Sequence, residues 1–283
     1  MTLDDYCGIL ANQGYCTMIN PGSGGSWEDL DGNFTFHSAE DIGIPKGVNE
    51  YNAVQLEYKH AGDRMDWTVG YTWSQSIGNF EGAVKSDITQ ADAGITQDFD
   101  FPALMDGADG YLPNDRRHAV KFYGSYRFMD NLIAGWTSSL TSGRPLSVYG
   151  AGYPLTGANV FGSYGDTYYL FTNSCNLAGG GVGTCPNDAD QSDKIYKKTG
   201  RGLAGRTPWL VSFDASLTYG FQVSNVDMTA TLQVFNLFDI QEPLHYNEHA
   251  EARRSEGTPN EWYGAAYAWQ TPRHVRFSIQ ARF

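Results

Sequence analysis

Strict alternation of apolar and polar residues constrains the fold of this chain more than any other feature. In the closing stretch VRFSIQARF, apolar side chains occupy every second position: Val275, Phe277, Ile279, Ala281 and Phe283. Successive side chains of a β-strand point to opposite faces, so this pattern predicts a strand with one apolar and one polar face. Six further segments alternate in the same way, the fourth more weakly than the others. They are 52–59, 65–74, 118–128, 131–149, 209–223 and 225–239. We therefore expect seven strands.

The connections between these segments alternate in length. Short turns lie at about 60–64, 129–131 and 223–225. Long, Gly-rich, acidic loops lie at about 79–115, 150–208 and 240–271. An outer-membrane barrel has tight periplasmic turns and long extracellular loops, whereas a soluble β-sandwich has short turns at both ends. The sequence therefore predicts an all-β fold, an antiparallel, up-and-down transmembrane β-barrel with long extracellular loops.

Aromatic residues on the apolar faces support the same prediction. Several lie near the ends of the predicted strands, as expected for the two aromatic girdles of a barrel. They are Trp67, Trp73, Trp136, Trp209, Tyr126 and Tyr219. The opposite faces carry mainly Ser, Thr, Gln, Lys and Arg, which suits a wet lumen. The alternative is the buried core of a β-sandwich, although such cores seldom leave the other face so uniformly polar.

An odd number of strands indicates that the chain is the C-terminal fragment of a larger barrel. Complete single-chain bacterial barrels have an even number of strands, and an open sheet would leave two unpaired edges in lipid. The opening MTLDDYCGIL also lacks the basic and apolar regions of a signal peptide. We therefore expect residues 1–49 to be a partial extracellular loop and residues 50–283 the barrel segment.

Composition and motifs exclude several other classes of protein. The formal net charge of −13 argues against nucleic acid as a partner. The sequence has no apolar run long enough for a membrane-spanning helix. It also has no GxSxG motif, no P-loop and no GxGxxG after a strand, so we expect neither an enzyme nor a bound cofactor.

The four cysteines fall into two local pairs, Cys7 with Cys16 and Cys175 with Cys185. Neither pair has metal-ligand spacing. A disulfide that closes a loop of this size contributes roughly 2–3 kcal/mol in an oxidising compartment. We expect two disulfides, outside the cytoplasm; the alternative is four free thiols.

Two loop clusters contain residue types that bind metal ions, but the spacing of the residues in neither cluster favours a metal site. The first has many carboxylates but no calcium-loop spacing, so we expect a solvated acidic loop. Its members are Glu81, Asp87, Asp92, Asp98, Asp100, Asp106, Asp109 and Asp115. The second, EPLHYNEHAEARR, places His245 and His249 among glutamates but does not match HExxH, so we expect a polar surface loop.

The last long loop contains the candidate ligand-binding residues. Trp262, Tyr263, Tyr267 and Trp269 could stack on sugar rings or contact an apolar ligand. The alternative roles are packing between loops or an aromatic girdle. Nearby Arg253 and Arg254 could bind anionic ligands or the phosphates of lipopolysaccharide.

Several motifs resemble the C-terminal barrel of TonB-dependent outer-membrane receptors, over roughly residues 45–283. They are YTWSQSIGNFEG, DITQADAGITQDFDFPALMDGADGYLPNDRRHAVKFYGSYRF, SGRP, VFNLFD and TPRHVRFSIQARF. The LPNDRRH…GSY stretch and the terminal strand are the most specific. The 79–118 stretch further resembles an Oar-like subgroup, whose members carry a carboxypeptidase-regulatory-like domain at the N-terminus.

The resemblance implies an active transporter of the cell outer membrane, with about 22 strands and a plug domain that binds TonB. Family ligands are siderophores, cobalamin, glycans, peptides and other scarce or bulky nutrients. This sequence contains no plug or TonB-contacting segment, so we expect that it does not transport alone.

The resemblance also assigns the alternating terminal residues, ending in Phe283, as the signal for the barrel-assembly machinery, with outer-membrane lipid and lipopolysaccharide as surroundings. Three alternatives remain open: a secreted β-sandwich that binds carbohydrate, a passive porin-like channel, and a secreted β-rich hydrolase.

Overall fold

The computed structural model describes most of the chain. The described residues are 25–28, 34–38, 45–93, 96, 98–99, 102–154, 166–176, 182–185, 193–252 and 256–282. All structural statements below concern these residues.

Seven long strands form one antiparallel sheet, and each strand is hydrogen-bonded to the next along the chain. They are β1 (Asn49–Ala61), β2 (Met65–Gly78), β3 (His118–Met129), β4 (Leu132–Thr141), β5 (Leu210–Val223), β6 (Val226–Phe235) and β7 (His274–Arg282). The seven predicted strands and their up-and-down order are confirmed. The expected strands over 131–149 and 225–239 were too long, since β4 ends at Thr141 and β6 at Phe235.

The register of the sheet keeps the apolar residues of all seven strands on one face. Directly paired residues of antiparallel strands share a face. One apolar row crosses β1 to β5 through Leu56, Tyr71, Val120, Leu140 and Val211. Another row crosses β5 to β7 through Leu217, Leu232 and Phe277. A slip of one residue would reverse the faces of a strand, so this pattern fixes the register.

The apolar face of the sheet is exposed. Leu56 is 64% exposed, Val275 61% and Phe277 63%. The opposite face pairs polar residues such as Thr218 with Thr231, and Thr231 with Ser278. An apolar face of this extent suits lipid rather than water, as in a membrane barrel. The sheet of described residues is open, with β1 and β7 at its edges.

The connections divide the sheet into two ends, which we call the short-turn end and the long-loop end. At the short-turn end, residues 62–64, 130–131 and 224–225 join neighbouring strands. At the long-loop end lie loop A (79–117), loop B (142–209) and loop C (236–273). The predicted alternation of short and long connections is therefore confirmed.

The long loops contain short elements of their own. Loop A contains a 3₁₀ turn (Ser86–Ile88), helix α1 (Pro102–Met105) and a strand (Gly110–Tyr111) that pairs with β2. Loop B contains a three-stranded sheet of Tyr169–Asn176, Val182–Thr184 and Lys194–Lys198. Loop C contains a hairpin of Pro243–Tyr246 and Ala266–Trp269. A further hairpin, Gly25–Glu28 with Phe34–His37, precedes β1.

The buried apolar core of the described residues lies in the loops rather than between strands. Phe99, Met105 and Ala108 of loop A pack with Tyr149 and Tyr168 of loop B. Among the described residues, none of the helices has the length and apolar character needed to cross a membrane.

Asn236 of the VFNLFD motif fixes the exit of β6 into loop C. It adopts a left-handed conformation with φ of 49°, which Asn tolerates better than most residues. Its Nδ2 group donates to the backbone oxygens of Ile240 (2.8 Å) and Thr271 (2.9 Å). Its backbone N–H donates to Asp214 Oδ1 on β5 (2.8 Å). One side chain thus ties both ends of loop C to the rim of the sheet.

Candidate functional site

The LPNDRRH motif lies at the rim of the sheet and ties loop A to loop B. The buried Asp115 carboxylate accepts hydrogen bonds from the backbone N–H of Ser76 (2.7 Å) and from Arg117 (3.3 Å). Arg206 of loop B also donates to Asp115 and to the backbone oxygen of Gly143 (2.9 Å). This carboxylate therefore has a structural partner for each of its oxygens.

The SGRP motif packs closely against a second segment of loop B. A Cβ atom on Gly143 would lie 1.7 Å from the backbone oxygen of Thr207, so only glycine fits at this position. Arg144 N–H donates to Thr207 Oγ1 (3.0 Å), and Thr207 N–H donates to the oxygen of Arg144 (2.9 Å). The two ends of loop B are thus held together where they leave β4 and enter β5.

A fully buried cluster of four charges joins loops A and B. Lys85 Nζ lies 2.9 Å from Asp98 Oδ1, and Arg201 Nη2 lies 3.5 Å from Asp87 Oδ2 and 3.9 Å from Asp98 Oδ2. None of these four side chains is more than 1% exposed. We call these residues the buried ion cluster; two cations and two carboxylates balance its charge.

The expectation of a solvated acidic loop was therefore wrong for three of its carboxylates. Asp87, Asp98 and Asp115 are each at most 5% exposed. Burying an isolated carboxylate is very costly, and here cations from loops A and B offset that cost. These carboxylates balance charges of the chain itself, which leaves little reason for them to bind calcium.

Two tyrosines complete the buried ion cluster. Tyr149 OH donates a hydrogen bond to Asp87, and the rings of Tyr149 and Tyr168 lie 5.1 Å apart. Lys85 Nζ lies 5.3 Å from the centre of the Tyr149 ring and 5.7 Å from that of Tyr168. Burial alone would lower the pKa of Lys85, but Asp98, Tyr168 and Asp87 raise it above its ordinary value. The ammonium therefore stays charged beside two aromatic rings.

A buried ion pair also joins loop B to loop C. Arg144 Nη2 lies 2.5 Å from Glu248 Oε1, and the N–H of Ser147 donates to Glu248 Oε2 (2.5 Å). Burial raises the pKa of Glu248 to about 7, although Arg144 and the Ser147 N–H oppose that rise. The expectation of a polar surface loop in EPLHYNEHAEARR was wrong at Glu248 and Glu251, which are 3% and 6% exposed.

The histidines of loop C have partners from the chain itself. His249 Nε2 lies 2.9 Å from Asp166 Oδ1, and the His245 ring stacks on Tyr267 with centroids 5.9 Å apart. In the part of the chain that the structure describes, no group of three or more His, Cys, Asp or Glu residues is arranged to hold a metal ion.

The predicted aromatic ligand residues are exposed on loop C. Trp262 is 70% exposed and belongs to a turn together with Tyr263, whereas Tyr267 and Trp269 lie on the hairpin strand Ala266–Trp269. Arg253 and Arg254 lie outside the described residues. A ligand-binding role for these six residues stays a prediction.

A cavity of about 680 Å³ lies between loops A and B, and sequence reasoning missed it. On its wall, the Asp106 carboxylate accepts hydrogen bonds from Tyr153 OH (2.9 Å), Tyr169 OH (2.6 Å) and Lys198 Nζ (2.5 Å). Burial alone would raise the pKa of Asp106, but the hydrogen bonds from Lys198, Tyr169 and Tyr153 lower it below its ordinary value. The group is therefore a carboxylate at neutral pH. We call this space the Asp106 cavity.

The cysteine pair of loop B is bonded in the structure. A disulfide joins Cys175, on the strand Tyr169–Asn176, to Cys185, the residue that follows the strand Val182–Thr184. Lys194 pairs with Cys175 on the neighbouring strand, so the bond braces the sheet that also carries Tyr169 and Lys198. Cys7 and Cys16 lie outside the described residues, and their disulfide stays a prediction. Phe283 also lies outside them, while Val275, Phe277 and Ile279 are exposed on β7.

The chain is similar in sequence to a transporter and in structure to two receptors. The chain is 28% identical over 222 residues to the TonB-dependent transporter Oar of Myxococcus xanthus, covering 75% of this chain and 17% of that protein. Among solved structures, the chain is similar to the ferric-catecholate import receptor Fiu of Escherichia coli K12. There the identity is 13% and the TM-score 0.41, covering 91% of this chain and 23% of the receptor. It is also similar to the siderophore receptor PiuA of Acinetobacter baumannii, with 14% identity, a TM-score of 0.40, and coverage of 91% and 27%.

The family model described as the outer membrane beta barrel domain matches residues 26–250, which include β1 to β6 and most of the long-loop end. The match agrees with the continuous antiparallel sheet and its exposed apolar face. This chain therefore belongs to the outer-membrane β-barrel domain family, and its place is the cell outer membrane.

Proposed function

We propose that this chain is the barrel segment of a TonB-dependent receptor that takes up a scarce or bulky ligand across the outer membrane. One observation carries the proposal: the sheet has an exposed apolar face, and the long loops at one end of it are held together by buried ion pairs. The sequence similarity to the TonB-dependent transporter Oar supports it. The chain spans only 17% of that relative, so a plug and a TonB-binding segment belong to the rest of the proposed receptor.

The two faces and the two ends of the sheet have different proposed roles. The apolar face contacts outer-membrane lipid, with lipopolysaccharide around the long-loop end, and the polar face lines the passage. The long-loop end faces the outside of the cell and captures the ligand. We propose that residues 1–49 are part of an extracellular loop and that residues 50–283 are the barrel segment. Strand β1 begins at Asn49.

The terminal strand has a proposed role in assembly. Val275, Phe277, Ile279 and Ala281 alternate on β7, whose outer edge is unpaired among the described residues. This strand, together with Phe283 that follows it in the sequence, is the proposed signal for the barrel-assembly machinery. The same edge would close the barrel, since an unpaired edge is costly in lipid.

Two measurements on the purified full-length protein separate this proposal from a passive channel. In a planar bilayer bathed in KCl, a plugged receptor is expected to show no steady conductance, whereas a porin-like barrel conducts continuously. The periplasmic domain of TonB, immobilised on a resin, is expected to retain the receptor. Steady conductance without retention by TonB would contradict the proposal, and a protein that does not enter the bilayer would support a secreted β-sandwich.

A further inference from the structure

We infer that the Asp106 cavity binds the ammonium group of a cationic ligand, such as a lysine side chain of a short peptide. Lys198 of the chain occupies the ammonium position when the ligand is absent. The inference rests on the proposed function, because it assigns a ligand class to the loops that capture the ligand. It concerns residues of loops A and B rather than the exposed aromatic residues of loop C.

The position of Lys198 Nζ beside the cavity has the two features that hold an ammonium group. The first is a charged acceptor, because the Asp106 carboxylate is 2.5 Å from Lys198 Nζ. The second is aromatic surface, because the same Nζ lies 5.7 Å from the centre of the Tyr169 ring. Tyr153 packs edge-on against Tyr169 with centroids 5.0 Å apart, and both hydroxyls orient the carboxylate.

Lys198 is held loosely enough to be exchanged for a ligand. Its side chain is 49% exposed and that of Asp106 is 35% exposed. An ion pair with this exposure contributes little to stability, so a competing cation can displace it. Lys85 in the buried ion cluster is the opposite case, since its side chain is 1% exposed. The same loop assembly therefore contains one fixed lysine and one exchangeable lysine.

Charge and size favour a cationic ligand over an anionic one. Asp109 also lines the cavity, is exposed, and has no ion pair with any residue that the structure describes. Asp106 and Asp109 carry two negative charges against the one positive charge of Lys198. The excess of negative charge at the cavity grows when Lys198 moves away. The chain as a whole has a net charge of −13, which raises the local concentration of cations. A volume of about 680 Å³ lies in the usual range of ligand sites and admits a short peptide.

Two substitutions with opposite expected effects test the inference. The full-length receptor in isolated outer membranes is titrated against trilysine carrying a C-terminal fluorophore, and fluorescence anisotropy reports binding. Asp106→Asn is expected to weaken the affinity about tenfold or more, because a charge-assisted hydrogen bond is lost. Lys198→Met is expected to strengthen it by about two- to fivefold, because the competing ammonium is gone. Lys197→Met, at the neighbouring exposed position, is expected to change nothing.

The controls separate binding chemistry from loss of folding. Asp109→Asn changes an exposed residue and is expected to weaken the affinity about two- to fivefold without affecting the loops. The same peptide with acetylated lysines is expected not to bind. Equal binding of the acetylated peptide, or weaker binding by Lys198→Met, would overturn the inference. Binding is measured without TonB or energy, so its failure is distinct from a failure of TonB retention or of the conductance measurement.

Discussion

Substituting Arg201 by Met is expected to loosen the packing of loop A on loop B, with a loss of about 3–5 kcal/mol in the stability of the loop assembly. The loss follows because Asp87 and Asp98 would remain buried with only Lys85 to balance them. Trypsin digestion of native outer membranes measures the effect. Lys85 is 1% exposed and protected in the intact protein, and it is expected to become a cleavage site in the variant.

A second substitution tests whether unbalanced buried charge is the reason for the loss of stability in Arg201→Met. Adding Asp98→Asn to Arg201→Met leaves one cation, Lys85, and one carboxylate, Asp87, so part of the protection is expected to return. Lys197→Met removes an exposed cation from loop B and serves as the control, in which Lys85 is expected to stay protected from cleavage. If Arg201→Met left Lys85 fully protected, the buried ion cluster would not be what holds the loops together.

Placing a charge on the apolar face is expected to cost about 2–4 kcal/mol near the middle of the membrane. Leu232→Lys makes this change in the middle of β6, where Leu232 pairs with Leu217 and Phe277. The folded fraction of the full-length protein in the outer membrane is expected to fall. Denaturation in urea, followed by the shift in gel mobility between folded and unfolded barrel, measures the change.

The adjacent residue provides the matched control. Thr231 lies on the polar face, where it pairs with Thr218 and Ser278, so Thr231→Lys adds the same charge to the wet side of the same strand. It is expected to leave the folded fraction almost unchanged, since polar residues already cover this face. Equal losses from the two substitutions would show that the two faces do not differ in their surroundings.

The strands were predictable because their signal is local. Alternation with a period of two requires only neighbouring residues, and the register follows from keeping one face apolar, as Leu217, Leu232 and Phe277 illustrate. The ends of β4 and β6 were less predictable because apolar residues continue into the loops after Thr141 and Phe235.

The loop contacts were not predictable because their partners come from other loops. The sequence predicts that Asp87 and Asp98 are solvated, because Arg201 lies in loop B and no local pattern connects it to them. The Asp106 cavity was missed for the same reason: Asp106 meets Tyr153 and Lys198 across separations of 47 and 92 residues. The sequence around a carboxylate does not show whether a cation from a distant loop pairs with it and so allows it to be buried.

The motifs that carry the family resemblance have structural roles at the rim of the sheet. Asp115 of LPNDRRH, Gly143 of SGRP and Asn236 of VFNLFD each fix the point where a long loop meets a strand. The candidate cavity lies farther along the loops: Asp106 belongs to the same long stretch of loop A as LPNDRRH, and Lys198 lies in loop B outside the quoted motifs. The residues at the rim therefore have structural roles, whereas the proposed ligand class depends on Asp106 and Lys198.

Labelling with a membrane-impermeant maleimide in intact cells tests the central claim most directly. Glu261→Cys places a thiol in exposed loop C at the long-loop end, and Asp130→Cys places one in the exposed turn between β3 and β4. Labelling of the unsubstituted full-length protein is subtracted, because that protein has cysteines of its own. The account predicts labelling at position 261 in intact cells, and at position 130 only after the outer membrane is opened. Equal labelling of both positions in intact cells, or recovery of the protein in the soluble fraction, would contradict a barrel that crosses the outer membrane with its long loops outside.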